Sequence, residues 1–587
     1  MKNRRPSWAL PLDIWKITLI ALLVRALTAT WTGLTTDEAF AVALASVRPW
    51  TAFFELLKHD PNAPLFYGFL CVFAHSFGGR DLAFKILMVV LSTAVVPLIY
   101  LICRRFLNRE QSSQIALLVA LCPPIVRFGT LIRSYALMPM LSVLSTWAFM
   151  RVTSARASRV WPVLYGFFTA LLVYCHYWGA FVAIGQACLA VIGFARGWYD
   201  RAGVFRWLVG VGIALLLFLP WLPTLYFQMT HDLSPWAMPP YVVQVIMLTF
   251  PYILTGDVTV TSALGQMILL LCNLFVWLVI ICPQAQVTGG KDFAESAPRF
   301  SPAAAVGTDS RPIFDGRQWK LVAIFSTLSA LVVTFIRPIM RDRYFTPFTP
   351  LFLITFVTTF HQLFPRLPAA LRYFLPVAVW LPLWLPQLYY FHSHPETNTP
   401  AIIRLLKDRA DRKKDLVVIT WQAIAPAIVF YLPSDLRAIS FPGLERTCFT
   451  RWDGMAARMR SQENLNKLFA TLTDTLSAGG CIWLIDSARE IEEEDFTSSK
   501  RVEGESYTVA DFRRQDQIRT WLSRHSQQEG DNIMAPGRDF NIFLSIYCPR
   551  SEEPAASAPS PRQTNEGLPA AGPEALPQPS STASDSR

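Results

Sequence analysis

The sequence predicts a mainly α, polytopic membrane protein with about eleven transmembrane helices, followed by a small α/β domain on the non-cytoplasmic side. Two observations predict the first part. Of 587 residues, 52% are hydrophobic and only 16% charged, and long apolar runs recur from residue 12 to residue 391. Arginines gather in the short links between these runs, where they orient a chain in the bilayer. The net charge of +11 is therefore a topology signal, not a nucleic-acid footprint. A third observation predicts the second part. Past residue 395 the composition becomes that of a soluble protein, with strand-like runs at 415–420, 481–486 and 540–548 and helical stretches such as 462–478.

In chain order the expected spans are 12–33, 84–102, 114–130, 135–151, 160–175, 178–195, 207–226, 262–282, 319–336, 344–360 and 372–391. The first has a basic flank in Lys2, Arg4 and Arg5 but is too long for a signal peptide and lacks a small-residue cleavage site, so it stays as a span. Arg25 lies well inside it and should face the bundle or snorkel outward. Residues 64–77 are apolar but too short to cross, and Gly78-Gly79 closes them, so they read as a re-entrant or interfacial helix. With that assignment the N-terminus, Arg104 to Arg109, Arg151 to Arg159, Arg196 to Arg206 and the loop 283–318 share the cytoplasmic side. Residues 1–392 form the membrane domain, 393–550 the extracytoplasmic α/β domain, and 551–587, rich in Pro, Ala and Ser, a disordered tail.

The first outer loop, 34–83, concentrates the unusual polar groups. It opens with Asp37 and Glu38 just past the first span and later carries His59, Asp60 and Asn62. Between them Trp50 to Lys58 (WTAFFELLK) reads as a short helix lying in the interface. Arg133-Ser134-Tyr135, His176-Tyr177-Trp178 and the run from Arg337 to Tyr344 fall on the same face.

These features carry a resemblance. A long first span ending in Asp-Glu, a loop closing on HDPNAPLFY, then Arg-Ser-Tyr, LVYCHYWGAF, FLPWLP and RDRYFTPFTP occur in this order on one face. Together they resemble the polyprenyl-phosphate-dependent membrane glycosyltransferases of the GT-C superfamily, whose members include protein O-mannosyltransferases and the lipid A aminoarabinose transferase. The resemblance covers about residues 10 to 390. It implies a GT-C-like fold, a sugar donor on a polyprenyl monophosphate, and inverting transfer to an exported protein, lipid or polysaccharide acceptor at the outer face of the cell (inner) membrane. HDPNAP stands where many relatives read His-Pro-Pro, a departure that falls on His59.

Such a transfer needs a base for the acceptor hydroxyl and cations for the departing phosphate. Asp37 is the expected base, with its pKa raised by desolvation and by Glu38, its helper or alternate. Asp37 could also cap a helix beginning at Glu38. Arg337, Arg341 and Arg343 place positive charge on the outer face, against the usual bias, so an anion should sit there. Arg341 or Arg343 would hold the phosphate, with Tyr344 in support. Arg133 and Tyr135 are the second pair for donor contacts. His59, Asp60, Asn62 and His176 complete the substrate-binding candidates, while Trp178 reads as an interfacial anchor. No cofactor is required, because arginines can neutralise one phosphate, although Asp37 and Glu38 leave a divalent-metal site open.

Cys448, Cys481 and Cys548 lie in the soluble domain, where the compartment permits one disulfide among them. No P-loop, dinucleotide fingerprint, zinc-ligand spacing or internal repeat is evident. The rival reading is a multi-span lipid or glycolipid transporter or flippase, which would instead place its polar groups near the midplane of matching halves. The topology is testable by cysteine labelling of intact cells. An Arg109→Cys variant should react only after permeabilisation, and external labelling would overturn the eleven-crossing path.

Overall fold

The computed structural model describes residues 12–29, 31, 33–155, 157–231, 233, 253–254, 267, 274, 316–336, 341–393, 399–422, 424–487, 507–530, 533–535 and 542–550. Apart from 267 and 274, the expected span 262–282 lies outside the described residues, as do Arg337 and the tail 551–587.

The chain begins with α1 (Leu12–Thr28), then four helices that build the first loop and its exit: α2 (Thr36–Ala45), α3 (Trp50–Lys58), α4 (Pro64–Phe77) and α5 (Asp81–Cys103). Both short helices of the loop appear with the ends read from the sequence. Pro64 supplies a ready φ at the first turn of α4, and Gly78 ends it at a positive φ of 84°. The bundle continues with α6 (Arg109–Leu121), α7 (Pro123–Thr130), α8 (Met138–Val152), α9 (Val160–Cys175), α10 (Gly179–Ala195), α11 (Arg201–Phe218) and α12 (Leu222–Thr230). It closes with α13 (Gly316–Ile336), α14 (Thr349–Leu363) and α15 (Ala369–Ser393).

The expected span 114–130 is two helices, α6 and α7, bent by 54°. Pro123-Pro124 removes two backbone donors and sterically breaks the turn before it. Among the described residues, three helices are long and apolar enough to cross a membrane by length and composition, or five if each bent pair is one span. Helices α4, α9 and α10 are apolar but shorter. Close helix approach depends on glycine, as two positions illustrate. A Cβ on Gly166 of α9 would lie 2.6 Å from the Gly210 carbonyl of α11, and one on Gly185 of α10 would collide with Ser326 Oγ of α13. Arg25 faces the bundle: it is fully buried and donates to the carbonyls of Ala21, Ala120 and Val119.

The C-terminal sheet has the order β2-β1-β3-β6-β4, formed by β1 (Leu416–Ile419), β2 (Arg437–Ser440), β3 (Ile482–Ser487), β4 (Gln527–Gln528), β5 (Ile533–Ala535) and β6 (Ile542–Cys548), with β5 also pairing β6. Strands β2, β1 and β3 are parallel, and β6 runs antiparallel to β3. Alternate residues of β1 enter two cores, Val417 and Ile419 on one face and Leu416 and Val418 on the other. The β3–β6 register pairs Ile482 with Tyr547, which brings Cys481 and Cys548 opposite one another, and these two form the disulfide. Cys448 is free.

Met1–Pro549 is one compact unit, so the α/β part is docked on the membrane part. Helix α16 (Thr399–Arg409) leads in and α17 (Ala425–Tyr431) packs against α2. Tyr431 donates to Asp81 Oδ2 at 2.8 Å, and the Phe449 ring meets Phe40 edge-on at 5.9 Å. A Cys481→Ser/Cys548→Ser double variant should lose about 2–4 kcal/mol of stability. The check is the melting temperature of the full chain in detergent; an unchanged value would show that the bridge does not constrain the domain.

Candidate active site

The site forms where the N-terminus of α2, the turn after α3, the link between α7 and α8, and the entry to α14 converge. Helix α2 begins in a capping box: Glu38 N–H donates to Thr35 Oγ1 at 3.3 Å, and Thr35 N–H donates to Glu38 Oε2 at 3.0 Å. Thr35, not Asp37, is thus the cap. The side chains of Asp37 and Glu38 then part company: Asp37 is 40% exposed and Glu38 is fully buried. All the capacity of the Glu38 carboxylate is used inside the fold. Oε1 accepts from Lys85 of α5 and from the Ile132 N–H at 3.0 Å, and Oε2 accepts from the Thr35 backbone and hydroxyl.

Asp37 faces cations. Its Oδ2 lies 3.4 Å from Arg343 Nη2 and 3.8 Å from Arg133 Nη2. Burial pushes its carboxyl up, but the charges of Arg133, Arg343 and Arg341 outweigh burial and hold it below the usual carboxylate value. This reverses the expectation of a raised pKa, because the expectation counted Glu38 as a neighbouring charge and did not foresee two guanidiniums. Asp60 carries the raised value instead. Burial is the main cause, and its pKa is pushed up to about 6 despite Arg133 nearby.

Arg133 is buried and connects these groups. It donates to Asn62 Oδ1 at 3.3 Å, lies over the Tyr67 ring at 5.9 Å, and stands beside Asp37. The Asn62 amide in turn donates to Asp60 Oδ1. Gln228 of α12 fastens this turn by donating to the backbone carbonyls of Leu57, Asp60 and Asn62 at 3.1, 2.7 and 3.3 Å. On the other flank His176 lies between the rings of Tyr135 (5.7 Å) and Tyr344 (5.1 Å). Burial, reinforced by Arg133 and Arg343, lowers the His176 pKa to about 3, so the ring is neutral. Two buried donors here have no hydrogen-bond partner among the described residues, Arg343 Nε and Tyr135 Oη.

The structure therefore brings Asp37, Asp60, Asn62, Arg133, Tyr135, His176, Arg343 and Tyr344 into one neighbourhood. Arg341 is exposed at its edge and acts on Asp37 through charge. His59 sits apart from this group, with Nε2 3.1 Å from Glu55 Oε1 and Nδ1 3.1 Å from Asp453 Oδ1 of the α/β domain, a docking contact. Trp178 is no lipid-facing anchor: it is buried against Tyr344 and Phe345. Lys85 and Gln228 were not foreseen. A lone lysine within the apolar run DLAFKILMVV should have raised the question of a buried partner; nothing in the sequence marks Gln228.

For a metal, the Asp37–Glu38 pair does not present two carboxylates to one ion, since Glu38 is committed to Lys85. Among the described residues one His/Cys/Asp/Glu triad lies at ligand spacing, Cys481, Glu529 and Cys548, and its two sulfurs are joined to each other.

Residues 59–223 match the sequence profile of the dolichyl-phosphate-mannose-protein mannosyltransferase family. No curated protein matches the chain in sequence. Among solved structures, ArnT from Cupriavidus metallidurans in the apo state superposes with a TM-score of 0.53 at 10% identity, covering 91% of this chain and 97% of that one. ArnT bound to undecaprenyl phosphate gives 0.48 at 11% identity, with coverage of 91% and 97%. The Archaeoglobus fulgidus oligosaccharyltransferase with Zn and sulfate gives 0.44 at 12%, with coverage of 85% and 70%. The chain shares the fold of this ArnT structure. The partial family match and the shared fold together make the chain similar to membrane glycosyltransferases.

The Glu38–Lys85 pair is testable by stability. Lys85→Met leaves a buried carboxylate without its cation and should cost about 3–5 kcal/mol, whereas the double variant Glu38→Gln/Lys85→Met should recover most of it. Thermal unfolding in detergent measures both. A Lys85→Met protein as stable as wild type would mean that Glu38 is not held this way.

Proposed function

We propose that the protein moves a sugar from a polyprenyl monophosphate carrier to a hydroxyl of an exported acceptor on the non-cytoplasmic face. The observation that carries this is the Asp37 carboxylate, half open to solvent and flanked by Arg343 and Arg133. In the reaction the acceptor oxygen attacks the anomeric carbon while its proton passes to Asp37. The bond from that carbon to the phosphate oxygen breaks, its electron pair leaves with the phosphate, and a single displacement inverts the centre. Arg343, with Arg341 and Tyr344, takes the charge on the departing phosphate. Arg133 holds Asp37.

The low pKa of Asp37 fits this order of events. A carboxylate paired with guanidiniums is a weak base. When an anionic donor occupies Arg343, part of the positive field on Asp37 is neutralised and its basicity rises, so the base is switched on by donor binding. The dolichyl-phosphate mannose in the family description is a polyprenyl monophosphate donor, which supports the carrier class. A transporter is not favoured: the site's charges gather around the first outer loop, and the family match is to transferases.

Asp37→Asn should lower transfer by two to four orders of magnitude, roughly the worth of a positioned base. Arg343→Ala should lower kcat/KM for donor more than about tenfold, with lysine rescuing in part because it lacks the planar fork. The assay uses purified enzyme in lipid, radiolabelled polyprenyl-phosphate sugar and a crude exported acceptor fraction. Normal transfer by Asp37→Asn would remove this mechanism.

A further inference from the structure

We propose that Asp60 and Asn62 are positioning residues whose carboxylate–amide pair aims the Asn62 carbonyl at Arg133 and so keeps that guanidinium beside Asp37. The inference rests on the reading of Asp37 as the base. Its geometry is forced by chemistry. An ionised carboxylate only accepts hydrogen bonds and a guanidinium only donates them. An amide placed between the two has one orientation that satisfies both: NH2 toward Asp60, oxygen toward Arg133. That is the arrangement found, with Asn62 Nδ2 on Asp60 Oδ1 and Asn62 Oδ1 3.3 Å from Arg133 Nη2. All three side chains are at least nine-tenths buried, so water competes little for either bond.

The backbone that carries the pair is fixed independently. Gln228 binds three carbonyls of the turn, its own orientation is set by the Tyr177 hydroxyl, and Trp221 Nε1 donates to that hydroxyl at 2.7 Å. The turn is therefore rigid, and what remains adjustable is the rotation of the Asn62 amide. That rotation responds to one proton. Once protonated, Asp60 can donate as well as accept, so the amide is free to turn its NH2 toward Arg133, where two donors oppose each other. Arg133 then loses its hold, and Asp37 loses the contact that aims its carboxylate. The charged groups facing Asp60 are Arg133 and Asp37, and the titratable ones are Tyr67 and Tyr177. Among these groups only Asp60 changes charge near neutral pH: its pKa is pushed up to about 6, while Asp37 is held below the usual range and the two phenols are raised. As a phosphodiester, the donor keeps one charge throughout.

The test is the pH profile of kcat for sugar transfer by the full-length enzyme in lipid, between about pH 5 and 7.5, where a single controlling group gives up to a tenfold change per unit. Wild type should lose activity as pH falls through about 6. Asp60→Asn, which mimics the protonated acid, should show a kcat about tenfold lower at the top of the range, a donor KM within about twofold, and no limb. Asn62→Ala should do the same, and the double variant should be no worse than either single, because the two act as one unit. A His59→Gln variant should retain the limb, which excludes the neighbouring imidazole as its source. Melting temperatures of all variants separate positioning from misfolding. A limb that persists in Asp60→Asn, moves with His59, or is missing from wild type overturns the inference, as does an additive double variant. Asp37→Asn runs alongside: if it transfers normally, the underlying reading has failed rather than this inference.

Discussion

The site depends on one buried carboxylate. Glu38 joins three parts of the chain that are far apart in sequence: its own helix start through Thr35, the span α5 through Lys85, and the turn before Arg133 through the Ile132 N–H. Because Glu38 and Asp37 are adjacent, as are Ile132 and Arg133, fastening the first member of one pair to the first of the other brings their partners together. Arg133 reaches Asp37 as a consequence. A buried ion pair of this kind is not retained for net stability, since an apolar pair of equal volume would often serve as well or better. Its value here is register: it fixes which residue of the Asp-Glu pair faces the open side.

The division of labour among the acids follows from their surroundings. Asp37 is half exposed and flanked by cations, so it stays ionised, and an anion bound at Arg343 would raise its basicity. Asp60 is buried with an amide as its direct partner, so it titrates within reach of neutral pH. Glu38 is saturated with donors and spent on structure. Three carboxylates in one loop thus have three different tasks, set by desolvation, charge and hydrogen bonding in different proportions.

Docking of the α/β domain on the first loop extends the same logic. Phe449 packs on Phe40, one helical turn from Asp37, and Asp453 reaches His59, the neighbour of Asp60. The domain therefore borders the acid-bearing loop. The His59 ring nitrogens face two carboxylates, Glu55 of the loop and Asp453 of the domain, so this side chain joins the two surfaces.

Much of the fold was legible because it rests on local physics. Most of the apolar runs, the short amphipathic α3, the fourteen-residue α4 closed by Gly78 and the strands β1, β3 and β6 need only hydropathy, period and turn chemistry, and they appear where the sequence places them; β2, β4 and β5 were not foreseen. The gathering of Asp37, Arg133 and Arg343 on one face was legible from their order relative to the spans. The capping box Thr35-Thr36-Asp37-Glu38 was also present in the sequence and would have separated the two acids, as Pro123-Pro124 would have split α6 from α7. Other features could not be read at all. Which cysteines pair is decided by the register of β3 against β6, and the partners of Glu38, the clamp of Gln228 and the lowered pKa of Asp37 are contacts between residues tens to hundreds of positions apart. Charge and burial at a site are sums over neighbours in space, and only the tertiary structure supplies those neighbours.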